Sequence, residues 1–291
     1  MSFTAVVVLH DSEADLRRLL TSIDRHLPER PHVVCVDSGS NDHGPELAAD
    51  WGAELLVLAG NRGFGAANNA GLERVRTDVT VLLNPDVELL DDGVARLAAL
   101  AAHGDRLLAP RLLNADGSVQ RSAHPMPGTV EALLPALVHP RLLPRPLRER
   151  ADPWRSRRPR RIGWAIAAAL AARTETLRAL GPFDPDAFLF YEDMDLCLRA
   201  AARGVPTELR PEIALLHRGA HATSAHFGRE PLLLHARRRR EVVGADLGPR
   251  ALALDDAAQA LTFAVRALVK GPRGGRRERA QLAALRAARR G

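Results

Sequence analysis

Short apolar runs that end in polar, turn-forming residues recur through the first ninety or so positions, and between them the apolar residues switch to helical spacing. Phe3 to Leu9 is the first run and stops at His10-Asp11-Ser12; Leu16, Leu19, Leu20 and Ile23 then repeat three and four apart. That pattern predicts a buried strand followed by an amphipathic helix capped by Asp11 or Ser12. His32 to Val36 is a second run, ending in Asp37-Ser38-Gly39-Ser40-Asn41-Asp42, after which Pro45 suits the first turn of a helix and Glu54 to Leu58 reads as a third strand. Val79 to Leu83 is the most apolar run of the series, too short for an independent helix, and Pro85 forces the chain out of the sheet just beyond it. Strands alternating with helices at this rhythm predict a doubly wound, mostly parallel α/β sheet.

Beyond residue 90 the rhythm loosens. Asp91 or Asp92 caps a helix whose Val94, Leu97, Ala98 and Ala101 face the sheet, Arg106 to Leu113 returns as a strand, and Asn114-Ala115-Asp116-Gly117 has the residues of a hairpin turn. Residues 122 to 161 hold eight prolines and many arginines, which predicts a long and mostly irregular excursion. Ile162 to Leu170 reads as one strand, and a helix with Met194, Cys197, Leu198 and Ala201 on one face ends at Gly204. Glu212 to Leu216 is a last strand that delivers His217. From Ser224 onward the chain is helical and basic, with Leu261, Val265 and Leu268 on an apolar stripe. The expected organisation is an α/β domain over 1–240 and a basic helical extension over 241–291.

Composition changes this picture little. Hydrophobic residues are 46% and charged residues 26% of the 291, an ordinary globular balance. The net charge of +6 invites a nucleic-acid partner, but 35 acidic residues and only 4% aromatics argue against one. The arginines concentrate between Arg141 and Arg161, Arg237 and Arg240, and Arg273 and Arg290, where anionic phospholipid headgroups would satisfy them equally well. Cys35 and Cys197 are too dispersed for a metal site and read as buried free thiols. No signal peptide and no apolar run of membrane-spanning length is evident, so the expected location is the cytoplasm, with solvation or contact with the inner membrane face as the two readings of the basic tail.

Candidate chemistry gathers at the strand ends. Asp86 leaves the sheet at its carboxyl edge, where open α/β sheets bind ligands and where a carboxylate is placed to hold a hard divalent cation; Asn84-Pro85-Asp86 also suits a plain turn. Gly60 to Gly71 is a glycine-rich entry to a helix with Arg62 available for phosphate, but position 68 is asparagine where a dinucleotide fingerprint needs glycine, which excludes a nicotinamide or flavin enzyme. Glu192, Asp193 and Asp195 crowd one helix start. Asp195 is spaced for an ion pair with Arg199, and capping accounts for only one of the other two. His217 and His221 near a strand end have the chemistry of a metal ligand or phosphate contact.

Taken in order, Leu9-His10-Asp11, Asp37-Ser38-Gly39-Ser40-Asn41-Asp42, Asn61-Arg62-Gly63-Phe64-Gly65 with Asn68-Asn69, Asn84-Pro85-Asp86, Tyr191-Glu192-Asp193-Met194-Asp195 and His217 closely resemble the family 2 glycosyltransferases of GT-A fold. Within that family the order is most similar to bacterial rhamnosyltransferases that act on polyprenyl-diphosphate-linked GlcNAc. The resemblance covers roughly residues 3 to 240. It implies a mostly parallel central sheet flanked by helices, with a C-terminal helical extension, and an inverting, metal-dependent transfer of L-rhamnose from dTDP-rhamnose to a lipid-linked glycan or polysaccharide in cell-envelope synthesis.

The same resemblance implies nucleotide-sugar contacts at Leu9, Asp11, Asp37, Asn61, Arg62, Gly65, Asn69, Asn84 and Asp86, with Asp37 on the pyrimidine base of a dTDP- or UDP-linked donor. It implies Mg2+ or Mn2+ at Asp86 and His217, and Asp193 as the catalytic base. Asn84 stands where many relatives carry aspartate, so weaker metal binding is expected, with His217 compensating. Glu192, Trp164 and Arg121 are the candidates for the acceptor, the latter two on location alone. The rival readings keep the fold and change the sugar to galactofuranose, glucose or an N-acetylhexosamine, or make the chain a non-catalytic, membrane-associated relative.

Overall fold

A nine-stranded sheet lies at the centre of the computed structural model, which describes residues 2–138, 142–181, 183–184, 189–219 and 231–290. Its first half follows the apolar runs: β1 (Thr4–Leu9), β2 (His32–Asp37), β3 (Glu54–Val57) and β4 (Val79–Leu83) are all parallel, in the order β3, β2, β1, β4. Between them run α1 (Glu13–His26), α2 (Gly44–Trp51) and α3 (Phe64–Arg74). The second half adds β5 (Val87–Leu89), α4 (Gly93–Ala101) and β6 (Leu107–Leu113). Alternate residues of β1 feed two cores: Ala5, Val7 and Leu9 pack with α1 and α4, whereas Val6 packs with α3.

Two close approaches fix this layering. Gly71 lets α3 lie directly on β1 and β2, because a Cβ there would come within 2.5 Å of Val6 Cγ1. The start of α1 is capped by a neighbouring loop and not by its own Ser12: Asp42 Oδ2 accepts the Glu13 amide at 2.6 Å.

Residues 122–161 are more ordered than their prolines suggest. They hold a two-residue strand, β7 (Ala123–His124), then α5 (Val130–Leu137), α6 (Arg145–Ala151), a single 3-10 turn at Pro153–Arg155 and the start of β8 (Arg160–Ile162). Pro144 and Pro146 fall at the start of α6, where a missing amide costs nothing, which is why the proline count misleads.

The expected single strand over 162–170 is three separate pieces. β8 pairs with the last long strand, β9 (Trp164–Ala165) pairs with β7 in a separate two-stranded ribbon, and β10 (Ala169–Arg173) inserts antiparallel between β4 and β6. Gly163 sits at the first break, where a Cβ would lie 2.1 Å from the Met126 amide nitrogen.

α7 (Thr174–Leu180) and α8 (Glu192–Ala202) follow, and then β11 (Thr207–His217), which is longer than its apolar core suggested and bulged between Arg210 and Ala214. It runs parallel to β6 and antiparallel to β5. α9 (Leu232–Gly274), kinked at Gly248 and Gly271, and α10 (Arg276–Ala288) complete the described chain. α9 runs through residue 240 without a break and contributes Val242 and Val243 to the α3/α8 side of the core.

Candidate active site

The parallel strands release their loops at one edge, and hydrogen bonds knit these loops together. Asp37, only 5% exposed, accepts the Ser40 amide at 3.0 Å and so turns the loop after β2. Gly39, at φ +77°, brings that turn against the next loop, where a Cβ would lie 3.0 Å from Asn61 N. Asn61 accepts the Gly63 amide at 3.0 Å and meets His10 Nε2 at 3.2 Å, and the Arg62 amide donates to Ser38 Oγ at 3.1 Å, leaving the Arg62 side chain exposed. Asp11, held at φ 48°, accepts the Asn41 amide at 2.6 Å. Leu9 takes part through its backbone alone: its side chain is fully buried and its carbonyl accepts the Ser38 amide. Gly65 and Asn69 lie further along α3 and hold the Phe183 loop, which Asn69 clamps with two hydrogen bonds of 2.8 and 3.1 Å.

Asp86 and His217 meet because β5 turns back against β11. His217 pairs with Val87 in that ladder, the Arg218 amide donates to the Asp86 carbonyl, and the Gly219 amide donates to Asp86 Oδ2 at 2.9 Å. His217 Nε2 then lies 3.3 Å from Asp86 Oδ1. Its other ring nitrogen is held by Gln120, whose Oε1 is 2.8 Å from Nδ1 while its Nε2 donates to Asn114 Oδ1. Since Gln120 presents its carbonyl, Nδ1 carries a proton, and Nε2 faces the Asp86 carboxylate either as a second N–H donor or, without that proton, as a lone pair. Such a pairing is favourable only with a proton or a cation between the two groups. Burial raises the Asp86 carboxyl, but the His217 ring and the Gly219 amide outweigh it and hold it below the ordinary aspartate value.

The second acidic cluster sits at the start of α8. Phe190 and Tyr191 precede it at φ 75° and 65°, a backbone region that costs bulky residues energy and that marks sites where surrounding packing fixes the chain. Around Tyr191 lie Trp164, His235 and Arg239, the last with its guanidinium 5.7 Å from the ring centre. The strained entry points Glu192 and Asp193 inward. Glu192 is buried with Oε2 free of any hydrogen bond, and burial together with the Asp193 charge pushes its carboxyl up to about 8. Asp193 accepts the Met194 amide at 2.7 Å and the Ala167 amide at 3.3 Å; burial still pushes it up to about 6. Asp195 pairs with Arg199 at 2.7 Å, as its spacing requires.

One dipeptide joins the two clusters. The Ala167 amide donates to Asp193, and the Ala168 carbonyl accepts the Asn84 amide at 2.8 Å. Trp164 is 7% exposed and stacked on His124 at 4.1 Å, so it supports this turn from beneath. Arg121 turns toward Asp152 at 3.7 Å and the Trp154 ring. His221 lies outside the described residues. Gln120 and Arg239 are the participants that the sequence pattern does not single out; only the arginine run at 237 to 240 hinted at the latter.

Loops at the carboxyl edge of a mixed, mostly parallel sheet carry these acidic groups from distant segments, and similarity to known proteins decides what kind of protein they belong to. Residues 4–165 match the model of glycosyl transferase family 2. The chain belongs to that family. It is 28% identical over 246 residues to the N-acetylglucosaminyl-diphospho-decaprenol L-rhamnosyltransferase of Mycobacterium tuberculosis, covering 78% of each chain. Among solved structures this family 2 glycosyltransferase superposes on the mannosyltransferase of Pyrobaculum calidifontis in complex with GDP-Man and Mn2+, with a TM-score of 0.58 at 17% identity over 99% of this chain and 85% of that one. It also superposes on GalNAc-T7 with UDP, GalNAc and Mn2+, with a TM-score of 0.61 at 17% identity, over 83% of this chain and 48% of that longer one. These likenesses make the fold GT-A-like and the protein a glycosyltransferase. Among the described residues no helix is long and apolar enough to cross a membrane, and no third His, Cys, Asp or Glu joins Asp86 and His217.

Proposed function

We propose that this glycosyltransferase moves L-rhamnose from dTDP-rhamnose to a hydroxyl of a lipid-linked glycan or polysaccharide of the cell envelope, with inversion at the anomeric carbon and with Mg2+ or Mn2+ at the donor diphosphate. The observation that carries the reading is the linkage of two clusters through Ala167 and Ala168: a cation-seeking pair on one side and a half-buried carboxylate with raised pKa on the other. The mycobacterial rhamnosyltransferase supports the choice of sugar and the lipid-linked acceptor.

Asp86 and, with Nε2 unprotonated, His217 fit a divalent cation, and Asn84, two residues before Asp86, keeps a buried Oδ1 that takes no hydrogen bond. The cation would neutralise charge on the leaving diphosphate. Asp37, Asn61 and Arg62 line the loops assigned to the nucleotide, with Asp11 beside them. Asp193 takes the proton from the acceptor hydroxyl as the new glycosidic bond forms. The buried carboxyl of Glu192, neutral at neutral pH, donates to the acceptor or accepts from it. A single base and no second nucleophilic carboxylate at the anomeric carbon mean direct displacement, hence inversion.

The test is a thermal-shift and hydrolysis panel of dTDP-rhamnose, UDP-GlcNAc, UDP-galactose, UDP-galactofuranose and GDP-mannose, each with and without Mn2+. The largest shift is expected for dTDP-rhamnose and only with the metal. A larger response to another nucleotide sugar changes the donor, and no metal-dependent response to any of them removes the enzymatic reading.

A further inference from the structure

At the far end of β11 from His217 lies a cleft of about 380 Å³ lined by Arg145, Pro146, Glu149, Arg150, Arg158 and Arg160. Four guanidinium groups thus face one carboxylate. Glu149 is already engaged: its side chain accepts from Arg145 at 2.9 Å, and Arg160 holds its carbonyl. The side chains of Arg150 and Arg158 take no partner among the described residues. Burial, together with the charge of Arg150, holds the Arg160 guanidinium below its usual value in spite of Glu149, so positive charge is in excess here.

This cleft is separate from the catalytic edge. Arg160 pairs with Leu209 in the β8/β11 ladder, and because the bulge loops out part of β11, Leu209 and Leu216 face Ala109 and Leu113 of β6, which puts the cleft and His217 on the order of 15 Å apart along the strand. A diphosphate at Asp86 would lie at the opposite end of β11. The helices that carry the cleft also expose apolar side chains. Five of the twelve large hydrophobic side chains exposed among the described residues, Val130, Leu137, Val138, Leu142 and Leu147, fall within α5, α6 and their connection, with Leu142 78% and Val130 69% exposed. Leu142 and Leu147 flank Arg145 and Pro146 in the chain, and α5 packs on α6.

Basic side chains around a cleft, on helices that also expose leucine and valine, fit a bilayer surface better than a free anion, which has no use for exposed apolar side chains, or a nucleic acid, which would want aromatic stacking. The geometry points to an anionic-lipid docking site built from α5 and α6, in which Arg145, Arg150, Arg158 and Arg160 take the phosphate of a phospholipid headgroup while Leu142 and Leu147 enter the interface. This goes beyond the transfer reaction and does not depend on the donor sugar.

The test is co-sedimentation of the full chain with phosphatidylglycerol vesicles against phosphatidylcholine vesicles. Binding is expected for the anionic vesicles only and should weaken with salt. Each basic side chain near such a surface is worth about fivefold in partitioning, so Arg150→Glu with Arg158→Glu should lower binding at least about tenfold. Leu142→Asp with Leu147→Asp should lower it as well. Both pairs should keep the parent's Tm and its nucleotide-sugar hydrolysis, which separates failure of docking from failure of the enzyme. The proposal is overturned by parent-like binding of both variants, or by loss on arginine reversal that the leucine changes do not share and that inorganic phosphate reproduces by competition. It is equally overturned by an oligonucleotide binding more tightly than the vesicles, or by a dimer in size exclusion that Leu142→Asp dissolves, which would make the occupant a second copy.

Discussion

Asp193 carries the sharpest expectations at the scale of single residues. Its carboxyl is raised to about 6 by burial, which two backbone amides only partly offset, so it is protonated and unable to accept a proton below that pH. On the proposed reading, kcat/KM therefore falls as pH drops through about 6 and not near the ordinary aspartate value of about 4. Asp193→Asn should lower transfer by at least ~10²-fold while leaving nucleotide affinity intact, as measured by single-turnover kinetics and calorimetric titration. Gln120 acts at one remove. Replacing it with leucine frees the His217 ring to turn or change tautomer, and a lost outer partner of this kind costs roughly 10–100-fold in metal affinity. Titrating Mn2+ into the Gln120→Leu variant with nucleotide present reads this directly; an unchanged affinity would show that Gln120 does not set the ring.

At the scale of elements, the tight seat of α3 on β1 makes a prediction about stability alone. Gly71→Ala places a methyl within 2.5 Å of Val6 and 2.9 Å of Val36, so α3 must shift, at a cost of about 1–3 kcal/mol in denaturant unfolding with little change in m. The same scale explains what could be read from sequence. The first four strands, α1 and α4 were legible because each buries one continuous apolar run or one apolar face, and periodicity reports burial, whereas α2 and α3 were legible only from Pro45 and from a glycine-rich entry. β5 was not: three residues behind Asn84-Pro85-Asp86 look like the remainder of a turn, and only pairing with β11 makes them a strand. The 162–170 run deceived in the opposite sense. Its residues are uniformly apolar because all but the partly exposed Ile162 and Ile166 are buried, yet they serve two sheets, and the break at Gly163 is imposed by the Met126 backbone 37 positions upstream in the chain. Of the candidate site, Asp86, Asp193 and His217 were legible as acids or imidazoles at element ends. Gln120 was not, since a glutamine after a hairpin turn carries no mark of the ring that it holds.

Across the whole molecule, the C-terminal helices brace the site and are not merely appended to it. Arg239 on α9 makes two bonds of 2.7 and 2.8 Å to Asp255 on the same kinked helix, reaches Met194 of α8, and faces the Tyr191 ring. Asp255 is almost wholly buried and also accepts from Gln259. Arg239→Leu would leave that carboxylate uncompensated, so a loss of about 3–5 kcal/mol is expected, with much of it recovered in the double variant Arg239→Leu/Asp255→Leu. Chemical denaturation of the three variants checks this. An equal loss in the single and double variants would mean that the ion pair itself, and not the stranded charge, sustains the fold. α9 continues through residue 240, and Val242 and Val243 just beyond it sit in the core.

The Ala167-Ala168 dipeptide has a mechanical consequence. Because the Ala167 amide holds Asp193 and the Ala168 carbonyl holds the Asn84 backbone, the spacing between these two residues is a ruler of main chain with a hydrogen bond at each end. On the proposed reading, reach is then gauged by the main chain, and selectivity among acceptors falls to whatever surrounds that gauge.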